Sequence, residues 1–412
     1  MATKRLSDGS SIKNSYKLSR GATSVAKPEA PTIGAATTTG GSTATVAYTA
    51  ATLGALAATF TATSTPSSIT GTGASPITVS GLSGSTNYTF TVKATNANGD
   101  SPESSASNQI TTDLLLGSRG LFFGGNPSAG RTVAIQYIDI TTAGNTTNFG
   151  NMTTATSSFQ GLGSLTRACY AGGGTAAASD TNTIEYVTTA STGNATDFGD
   201  LTHTTVQGGA SSNGTRGVFF GGYANAADIS TIQYVTIATT GNGTNFGSMI
   251  RGEFTKEGAG STTRAIQMGG AYAGGGFYSD TITYFTYATL GNSANFGTLS
   301  TVRVTPSAAS SSTRCLAMGG YVSGFVNTIE YVTIASLGNA TDFGDLTVAR
   351  YEGAGVSNST YAVNGGGAAS AGRSNVMDYV TIATTGNAID FGDLVVANQS
   401  LAGASNGHGG IG

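Results

Sequence analysis

One part of the chain decides the fold, and it reads RGVFFGG (216–222), STIQYVTIA (230–238) and GNGTNFG (241–247) in that order. The first two segments are apolar, β-branched and aromatic runs of strand length, and glycine, serine and asparagine bound them as turns do. All three segments recur along the chain, six copies in total. The sequence from about residue 119 onwards is therefore an internal repeat.

Three anchors keep this repeat in register. The phenylalanine of the pattern Gly-Asn-x-x-(Asp/Asn)-Phe-Gly recurs at intervals of 49, 48, 50, 47 and 48 residues. A strand tyrosine and a double glycine after an apolar run keep the same rhythm, and we expect all three anchors to be structural. The phenylalanines and tyrosines are Phe149, Phe198, Phe246, Phe296, Phe343 and Phe391, and Tyr137, Tyr186, Tyr234, Tyr284, Tyr331 and Tyr379.

A period near 48 residues with four short β segments per unit is typical of β-propellers. Within one unit, strand b is predicted at 216–222, strand c at 230–238 and strand d around NFGSM (245–249). Strand a of the next unit is predicted at EFTKEGAGS (253–261). The double glycine after strand b, the tyrosine strand and the aromatic residue of strand d resemble kelch repeats. Phenylalanine stands here where kelch repeats usually have tryptophan.

The count of strands predicts how the repeats close. Strands b, c and d occur six times, whereas strand a occurs five times between units and once more at the end, as NQSLAGASNG (398–407). Pairing of this last strand with the first unit, near 119–152, would cover two exposed strand edges. We therefore predict an all-β chain whose residues 114–412 form a six-bladed kelch-like β-propeller of 24 strands, closed by the C-terminal strand.

Residues 28–113 show a different pattern of alternating strands between Gly, Ser and Asn turns. This pattern predicts seven short strands and an immunoglobulin-like sandwich. Clear examples are STATVAYTA (42–50), AATFTATST (57–65), PITVSGL (76–82) and NYTFTVKATNANGD (87–100).

This segment resembles a fibronectin type III domain through Pro31, the corner at 82–88 and the strand and turn at 87–100. The resemblance implies that Tyr88 is the corner tyrosine, whose hydroxyl bonds back to the preceding loop. The usual tryptophan of the second strand is absent, and Val46 lies in that region. Such domains act mostly as spacers.

Composition excludes several functional classes. Only 9% of the 412 residues are charged and 62 are glycine, which disfavours a helical enzyme, while 38% apolar residues disfavour simple disorder. Two cysteines and two histidines leave no disulfide scaffold, no cysteine-ligated zinc site and little for histidine catalysis. Neither an 18-residue apolar run nor a secretory signal is recognisable, so we expect no membrane insertion.

The first 27 residues are basic. They carry a net charge of +5, whereas the other 385 residues carry −8. A basic, serine-rich arm on an acidic body predicts an anchoring tether, with a solvated tail as the alternative. Nucleic-acid binding is disfavoured because the interleaved aromatic residues of a single-strand binder are missing. The candidate anchoring residues are Lys4, Arg5, Lys13, Lys17 and Arg20.

Other recurring polar residues have structural readings. An arginine precedes strand b in five units, with Tyr361 in the sixth, and these arginines either line an anion site or, as we favour, pair with neighbouring acidic or amide groups. Aspartate pairs such as Asp197/Asp200 suit turn hydrogen bonding better than calcium. No catalytic, cofactor or metal residue is expected. The arginines are Arg119, Arg167, Arg216, Arg264 and Arg314.

The cysteines and histidines do not occur at spacings that indicate a disulfide or a catalytic site. Cys169 and Cys315 are expected to be small buried apolar residues too far apart for a disulfide. His203 and His408 have no nearby pattern of Cys, Ser or acid that suggests a catalytic relay.

The connections between strands b and c differ among the repeats and carry aromatic residues. In kelch propellers these connections share a face with those between strands d and a, so Arg251, Phe254 and Lys256 are expected beside them. Exposed aromatic residues on loops over a rigid base commonly bind sugars or peptides, and packing onto the blade rim is the equal alternative. The candidates are Tyr223, Tyr272, Phe277, Tyr278, Tyr321 and Phe325.

The order of basic arm, fibronectin-like spacer and low-charge propeller resembles virion appendage proteins of tailed bacteriophages, particularly of marine and cyanobacterial hosts. The resemblance implies a multicopy, non-enzymatic fibre or decoration protein in the virion, made in the host cytoplasm and released by lysis. Its N-terminus would bind other virion proteins, and its propeller a host-surface glycan or receptor. A purely structural scaffold is the alternative. A glycan-cleaving enzyme is disfavoured, because the acids lie mostly in repeat turns.

Overall fold

The computed structural model describes residues 26–40, 43–52, 54–80, 82, 86–112, 118–175, 179–254, 257–272 and 276–411. The chain divides into two compact units, Met1–Leu115 and Leu116–Gly412. The described residues form strands and turns and contain no helix, so the protein is all-β there. The five candidate anchoring residues of the arm and the predicted domain boundary at 113/114 lie outside the described residues.

The first unit contains eight described strands, one more than the seven predicted. They are β1 (Thr32–Gly40), β2 (Thr43–Thr49), β3 (Thr59–Thr65), β4 (Thr70–Thr72), β5 (Ile77–Ser80), β6 (Asn87–Asn96), β7 (Gly99–Asp100) and β8 (Ile110–Thr111).

These strands form two sheets around one core. One sheet has the order β1-β2-β5, and the other has the order β4-β3-β6-β7 with β8 also on β6. Alternation along β6 turns Tyr88, Phe90 and Val92 inward, and all three side chains are fully buried. Tyr88 stacks on Phe90 with ring centroids 6.3 Å apart. Most of the loop to which its hydroxyl was predicted to bond (83–85) lies outside the described residues.

The second unit is built from short strands. Seventeen of them lie between residues 119 and 268. They are β9 (Arg119–Phe123), β10 (Ala134–Asp139), β11 (Thr147–Asn151), β12 (Thr156–Ser157), β13 (Gln160–Gly163), β14 (Arg167–Ala171), β15 (Gly174–Thr175), β16 (Thr183–Thr188), β17 (Thr196–Asp200), β18 (Gly209–Ser212), β19 (Arg216–Phe220), β20 (Tyr223–Ala224), β21 (Ala227–Asp228), β22 (Thr231–Thr236), β23 (Thr244–Ser248), β24 (Glu257–Gly260) and β25 (Arg264–Met268).

The other sixteen strands complete the array. They are β26 (Ala271–Tyr272), β27 (Phe277–Tyr278), β28 (Thr281–Thr286), β29 (Ala294–Thr298), β30 (Ser307–Ser310), β31 (Arg314–Tyr321), β32 (Phe325–Thr333), β33 (Thr341–Asp345), β34 (Arg350–Tyr351), β35 (Ala354–Ser357), β36 (Tyr361–Gly365), β37 (Ala368–Ala369), β38 (Gly372–Arg373), β39 (Val376–Thr381), β40 (Ile389–Asp393) and β41 (Ala402–Ser405).

Twenty-four of these strands form six four-stranded antiparallel sheets. Sheet 1 has the order β41-β9-β10-β11, so the last strand of the chain pairs with β9 as the sequence predicted. In each of the other sheets, strands a, b, c and d lie side by side in the order in which they occur in the chain. Sheets 2 to 6 are β13-β14-β16-β17, β18-β19-β22-β23, β24-β25-β28-β29, β30-β31-β32-β33 and β35-β36-β39-β40.

Several strands are shorter than predicted because the backbone turns at their ends. Strand b of sheet 3 ends at Phe220, since Gly221 and Gly222 have φ of +64° and +106°. Left-handed values occur at all six double glycines, where glycine is favoured because it has no Cβ. Strand a of sheet 4 begins at Glu257 rather than at 253, since Phe254 pairs with Ala271 outside the sheet.

The sheets contact one another in cyclic order. Strand a of each sheet lies against strand a of the next, and strand a of sheet 6 lies against β41 of sheet 1. Six apolar clusters separate successive sheets, one for each neighbouring pair. The cluster between sheets 6 and 1 includes Phe122, Ile138 and Val363. Burial of these side chains is the main favourable contribution to the stability of this unit.

The Gly-Asn pair of the repeat motif joins neighbouring sheets at strand d. The Gly193 amide donates to the Phe149 carbonyl at 2.9 Å, and the Asn194 Oδ1 accepts from the Asn151 amide at 3.0 Å. The same two contacts are made at every interface, including that of sheet 6 with sheet 1, where Gly144 and Asn145 bind strand d of sheet 6. We call this contact the clamp. It explains the conserved spacing of the motif within the chain.

The five repeated arginines bind backbone carbonyl groups of the next sheet rather than acidic side chains. Arg167, for example, donates to the Ile237 carbonyl of the next sheet at 2.9 Å and lies 4.4 Å above the Tyr186 ring of its own sheet. Each of the other four makes the same two contacts. The guanidinium groups therefore contribute to the contacts between sheets.

The clamp predicts which glycines of the motif tolerate a side chain. A Cβ on Gly247 would lie 2.1 Å from the Gly291 carbonyl oxygen, whereas a Cβ on Gly291 would meet no atom within 4 Å. We expect Gly247→Ala to lower the free energy of unfolding of the second unit by about 2 kcal/mol, because overpacking forces the sheets apart.

Urea denaturation followed by tyrosine fluorescence measures this difference, with Gly291→Ala as the matched control. The control is expected to change the unfolding free energy by less than about 0.5 kcal/mol. Equal effects of the two substitutions would contradict the clamp.

Candidate functional site

The connections after strand b adjoin the segments that lead into strand a. Backbone bridges join Val206 to Tyr223, Phe254 to Ala271 and Val304 to Tyr321. The small sheets β12-β15 and β34-β37-β38 join the same two kinds of segment in sheets 2 and 6. The two sets of connections therefore share one surface, as expected, and we call it the loop face.

A chain of backbone hydrogen bonds crosses this face. In five sheets the residue two positions before strand a has a left-handed φ, between +47° and +60°. The backbone amide of such a residue donates to the carbonyl of the equivalent residue in the preceding sheet, wherever the structure describes that residue. The Ser400 amide donates to the Glu352 carbonyl at 2.9 Å, and the Ser158 amide donates to the Ser400 carbonyl at 2.8 Å. The five residues are Ser158, Gln207, Thr305, Glu352 and Ser400.

These five residues line a small depression of about 30 Å³. Its carboxylate is Glu352, whose Oε2 accepts hydrogen bonds from Ser400 Oγ at 2.5 Å and from Gln399 Nε2 at 3.1 Å. Within the described residues, Oε1 of Glu352 has no hydrogen-bond partner. The depression therefore holds a carboxylate oxygen that can accept a further donor.

Three aromatic rings lie beside this carboxylate. The rings of Tyr321 and Phe325 come from the hairpin of sheet 5, and that of Tyr351 from the segment leading into sheet 6. Their centroids are 5.3 to 5.8 Å apart in all three pairings. Burial, and then the charges of Glu352, Tyr321 and Tyr278, raise the pKa of the Tyr351 hydroxyl.

The hairpin of sheet 4 extends this aromatic surface. Tyr272 and Phe277 stack with centroids 5.4 Å apart and planes 19° apart, and Phe277 is 59% exposed. Arg251 lies 3.6 Å above the Tyr272 ring and forms an ion pair with Glu253 at 2.5 Å. We call Phe277, Tyr278, Tyr321, Phe325 and Tyr351 the aromatic arc.

Two sequence candidates pack inside the loop face instead. Tyr223 lies 5.3 Å from the Phe254 ring, and its amide and carbonyl both pair with Val206. Tyr272 is covered by Arg251 on one side. These contacts occupy one side of each of the two rings, and both side chains are half-buried. Lys256 lies outside the described residues.

The opposite ends of the strands a carry the C-terminal turn. The amide of Gly409 donates to the Ser310 carbonyl at 2.9 Å, and His408 Nε2 lies 3.0 Å from both the Gly163 carbonyl and Ser212 Oγ. His408 Nδ1 accepts from the Gly410 amide, so the ring proton is on Nε2. This tautomer donates towards Ser212 and cannot take its proton, which leaves no nucleophile relay here.

Three buried carboxylates lie in strand c, where sequence reasoning had not looked for acids. Glu185, Glu330 and Asp378 belong to sheets 2, 5 and 6, and each binds the segment arriving from the preceding sheet. Arg303 pairs with Glu330, and Arg350 pairs with Asp378 at 2.9 Å. Each carboxylate is thus used in joining sheets.

No group of three or more His, Cys, Asp or Glu side chains that could hold a metal occurs among the described residues. Cys169 and Cys315 are free and buried, and burial raises the pKa of the Cys169 thiol to about 12. No helix in the described part of the chain is long and apolar enough to cross a membrane.

No protein-family model matches the chain, and no curated protein sequence matches it.

The sequence predicted four of the five residues of the aromatic arc and missed Tyr351 and the neighbouring Glu352. Both lie in a connection between strands d and a, whereas most of the predicted candidates lie between strands b and c. The signal that indicates Tyr351 is its equivalence to Phe254, since each lies three residues before strand a, in sheets 6 and 4. The contact of Ser212 with His408 joins residues 196 positions apart, which no local pattern indicates.

The contacts of His408 predict a pH dependence. Burial lowers the pKa of the imidazole, so the folded state takes up a proton less readily than the unfolded state, whose histidine pKa is about 6.5. The stabilisation from neutral His408 is complete above about pH 6.5 and is lost as the pH falls towards the folded pKa. A single such group contributes at most about 1.4 kcal/mol per pH unit.

The urea midpoint of the second unit, measured between pH 7.5 and 5, is expected to fall, and to fall less steeply in His408→Gln. Burial also lowers the pKa of His203, so His203→Gln serves as the matched control that retains the His408 contribution. An unchanged pH slope in His408→Gln would show that this ring is protonated equally in both states.

Proposed function

We propose that the second unit is a six-bladed kelch-like β-propeller, closed by β41 in sheet 1, and that the first is a fibronectin type III-like spacer. The cyclic order of the six apolar clusters and of the clamp supports the propeller. The two sheets packed around Tyr88 support the sandwich.

We further propose that the protein is a non-enzymatic virion appendage of a tailed bacteriophage, with its basic arm bound to other virion proteins. Its propeller would attach to a host-surface glycan or receptor. One observation carries this role: the aromatic arc lies on the loop face with Phe277 and Phe325 exposed and its tyrosines half-buried, over sheets fixed by backbone contacts. Multicopy display on a particle would raise the strength of attachment far above that of one site.

Binding without catalysis fits the chemistry of the site residues. The ring proton of His408 is on the nitrogen that faces Ser212, so the pair lacks a general base. Glu185, Glu330 and Asp378 lie in three different sheets and are each bound by neighbouring segments. A glycan-cleaving enzyme would require two carboxyl groups about 5–10 Å apart across an open cleft.

A scaffold that binds other virion proteins remains the second candidate, and a specific observation favours it. Three large apolar side chains are more than half exposed in the connections between strands c and d or at the first residue of strand d, away from the loop face, and three more are exposed just after strand d. Such exposed apolar residues are typical of surfaces that contact another protein. They are Ile250, Leu290, Leu337, Ile389, Val395 and Val396.

Substitution on assembled particles separates the two roles. In the attachment role, the double variant Tyr321→Ala/Phe325→Ser is expected to leave particle yield unchanged and to slow adsorption to host cells at least about tenfold. The reason is that truncation of buried aromatic contacts at an interface costs about 1–2 kcal/mol or more per site. The measurement is the adsorption rate constant of purified particles.

The matched control is Leu290→Ser/Leu337→Ser, which removes apolar surface away from the loop face. This variant should assemble and adsorb normally in the attachment role. Reduced particle yield in the control, together with normal adsorption of the aromatic variant, would reject attachment and support the scaffold.

A further inference from the structure

We infer that the loop face binds an uncharged saccharide, and that Glu352 is the residue that selects it against acidic ligands. This inference rests on the proposed attachment function and names its ligand class. Its site is the aromatic arc together with the depression that contains Glu352.

The first step is the position of the carboxylate. Glu352 follows Tyr351 in the chain and lies close enough to raise the pKa of its hydroxyl. Hydrogen bonds from Ser400 and Gln399 hold Oε2, so the carboxylate has a fixed orientation while Oε1 can accept a ligand donor. The left-handed backbone of Glu352, bonded to neighbours on both sides, fixes the residue further.

The second step is the match between these groups and a sugar. A pyranose presents C–H groups that pack on aromatic faces, and hydroxyl groups that donate to a carboxylate. The mutually packed rings of Tyr321, Phe325 and Tyr351 can contact the sugar C–H groups, with Phe325 38% exposed. The Glu352 carboxylate can accept hydrogen bonds from the sugar hydroxyl groups, since hydrogen bonds to an ionised acceptor are about twice as strong as neutral ones.

The third step is charge. Of the described arginines of the loop face, Arg251 is paired with Glu253, while Arg131 donates to Ser157 Oγ and Arg373 to the Asn126 carbonyl, and none of the three forms an ion pair with Glu352. An acidic sugar bound at Glu352 would therefore meet its carboxylate without a cation paired to it. Like charges near a protein surface repel, so such a ligand is expected to bind more weakly than a neutral one.

The test measures binding of soluble oligosaccharides to the full-length chain by saturation-transfer NMR and calorimetry. The probes are neutral hexasaccharides of glucose, mannose, galactose and N-acetylglucosamine, a hexamer of galacturonic acid, and a lysine-rich peptide. At least one neutral probe is expected to bind, with galacturonate and the peptide weaker by tenfold or more.

Variants identify the site. Phe325→Ser is expected to abolish binding of the neutral probe. Glu352→Gln should weaken that binding about tenfold through loss of a charged acceptor, and should reduce the discrimination against galacturonate. Asp390→Asn is the matched control, because it removes one exposed carboxylate from β40 and should bind as the wild type does.

Three results would overturn the inference: no neutral saccharide binds, galacturonate or the peptide binds more tightly, or the two site variants bind like Asp390→Asn. Its failure is distinguishable from failure of the attachment role. If no saccharide binds while the aromatic variant still loses adsorption, attachment stands and the ligand is another receptor. If a saccharide binds while adsorption is unaffected, the site stands and attachment fails.

Discussion

The second unit depends on the clamp, in which each Gly-Asn pair binds strand d of the sheet before it. The contact consists of backbone groups and one asparagine side chain, so it can be repeated at every interface without help from charged residues. Each hydrogen bond contributes only about 1 kcal/mol, but all of them fix the same spacing. The apolar clusters then fill the space that this spacing defines. A chain with few charged residues can therefore hold six sheets in register.

Repeated features were predictable from the sequence, and features made between repeats were not. The anchors gave the strands of each sheet and the pairing of β41 with β9, because turns and apolar alternation are local properties. The partner of five Gly-Asn pairs lies 41 to 44 residues away, and that of the sixth lies 248 residues away, so none has a local signature. The arginines show the same limit: sequence favoured a neighbouring acidic or amide group, whereas the carbonyl they bind belongs to the next sheet.

In the candidate site, too, residues with a local signature were predictable and contacts between repeats were not. Its variable aromatic residues stood out against the constant repeat, which is why Tyr321 and Phe325 were found. Glu352 did not stand out, because an isolated acid in a polar connection resembles any exposed acid. Its importance comes from the left-handed backbone and from the hydrogen bonds of Ser400 and Gln399. The backbone chain that joins the sheets also orients this carboxylate, so structural and binding roles meet at one residue.

The composition of sheet 1 has a mechanical consequence. Tension transmitted from the first unit enters the second at β9, and β9 is not an edge strand: β41 lies on one side and β10 on the other. Removal of β9 from the sheet therefore requires two rows of antiparallel hydrogen bonds to break, one to β10 and one to β41, whereas an edge strand is held by a single row. The late strand β41 thus doubles the backbone pairing of the strand through which such a load would enter.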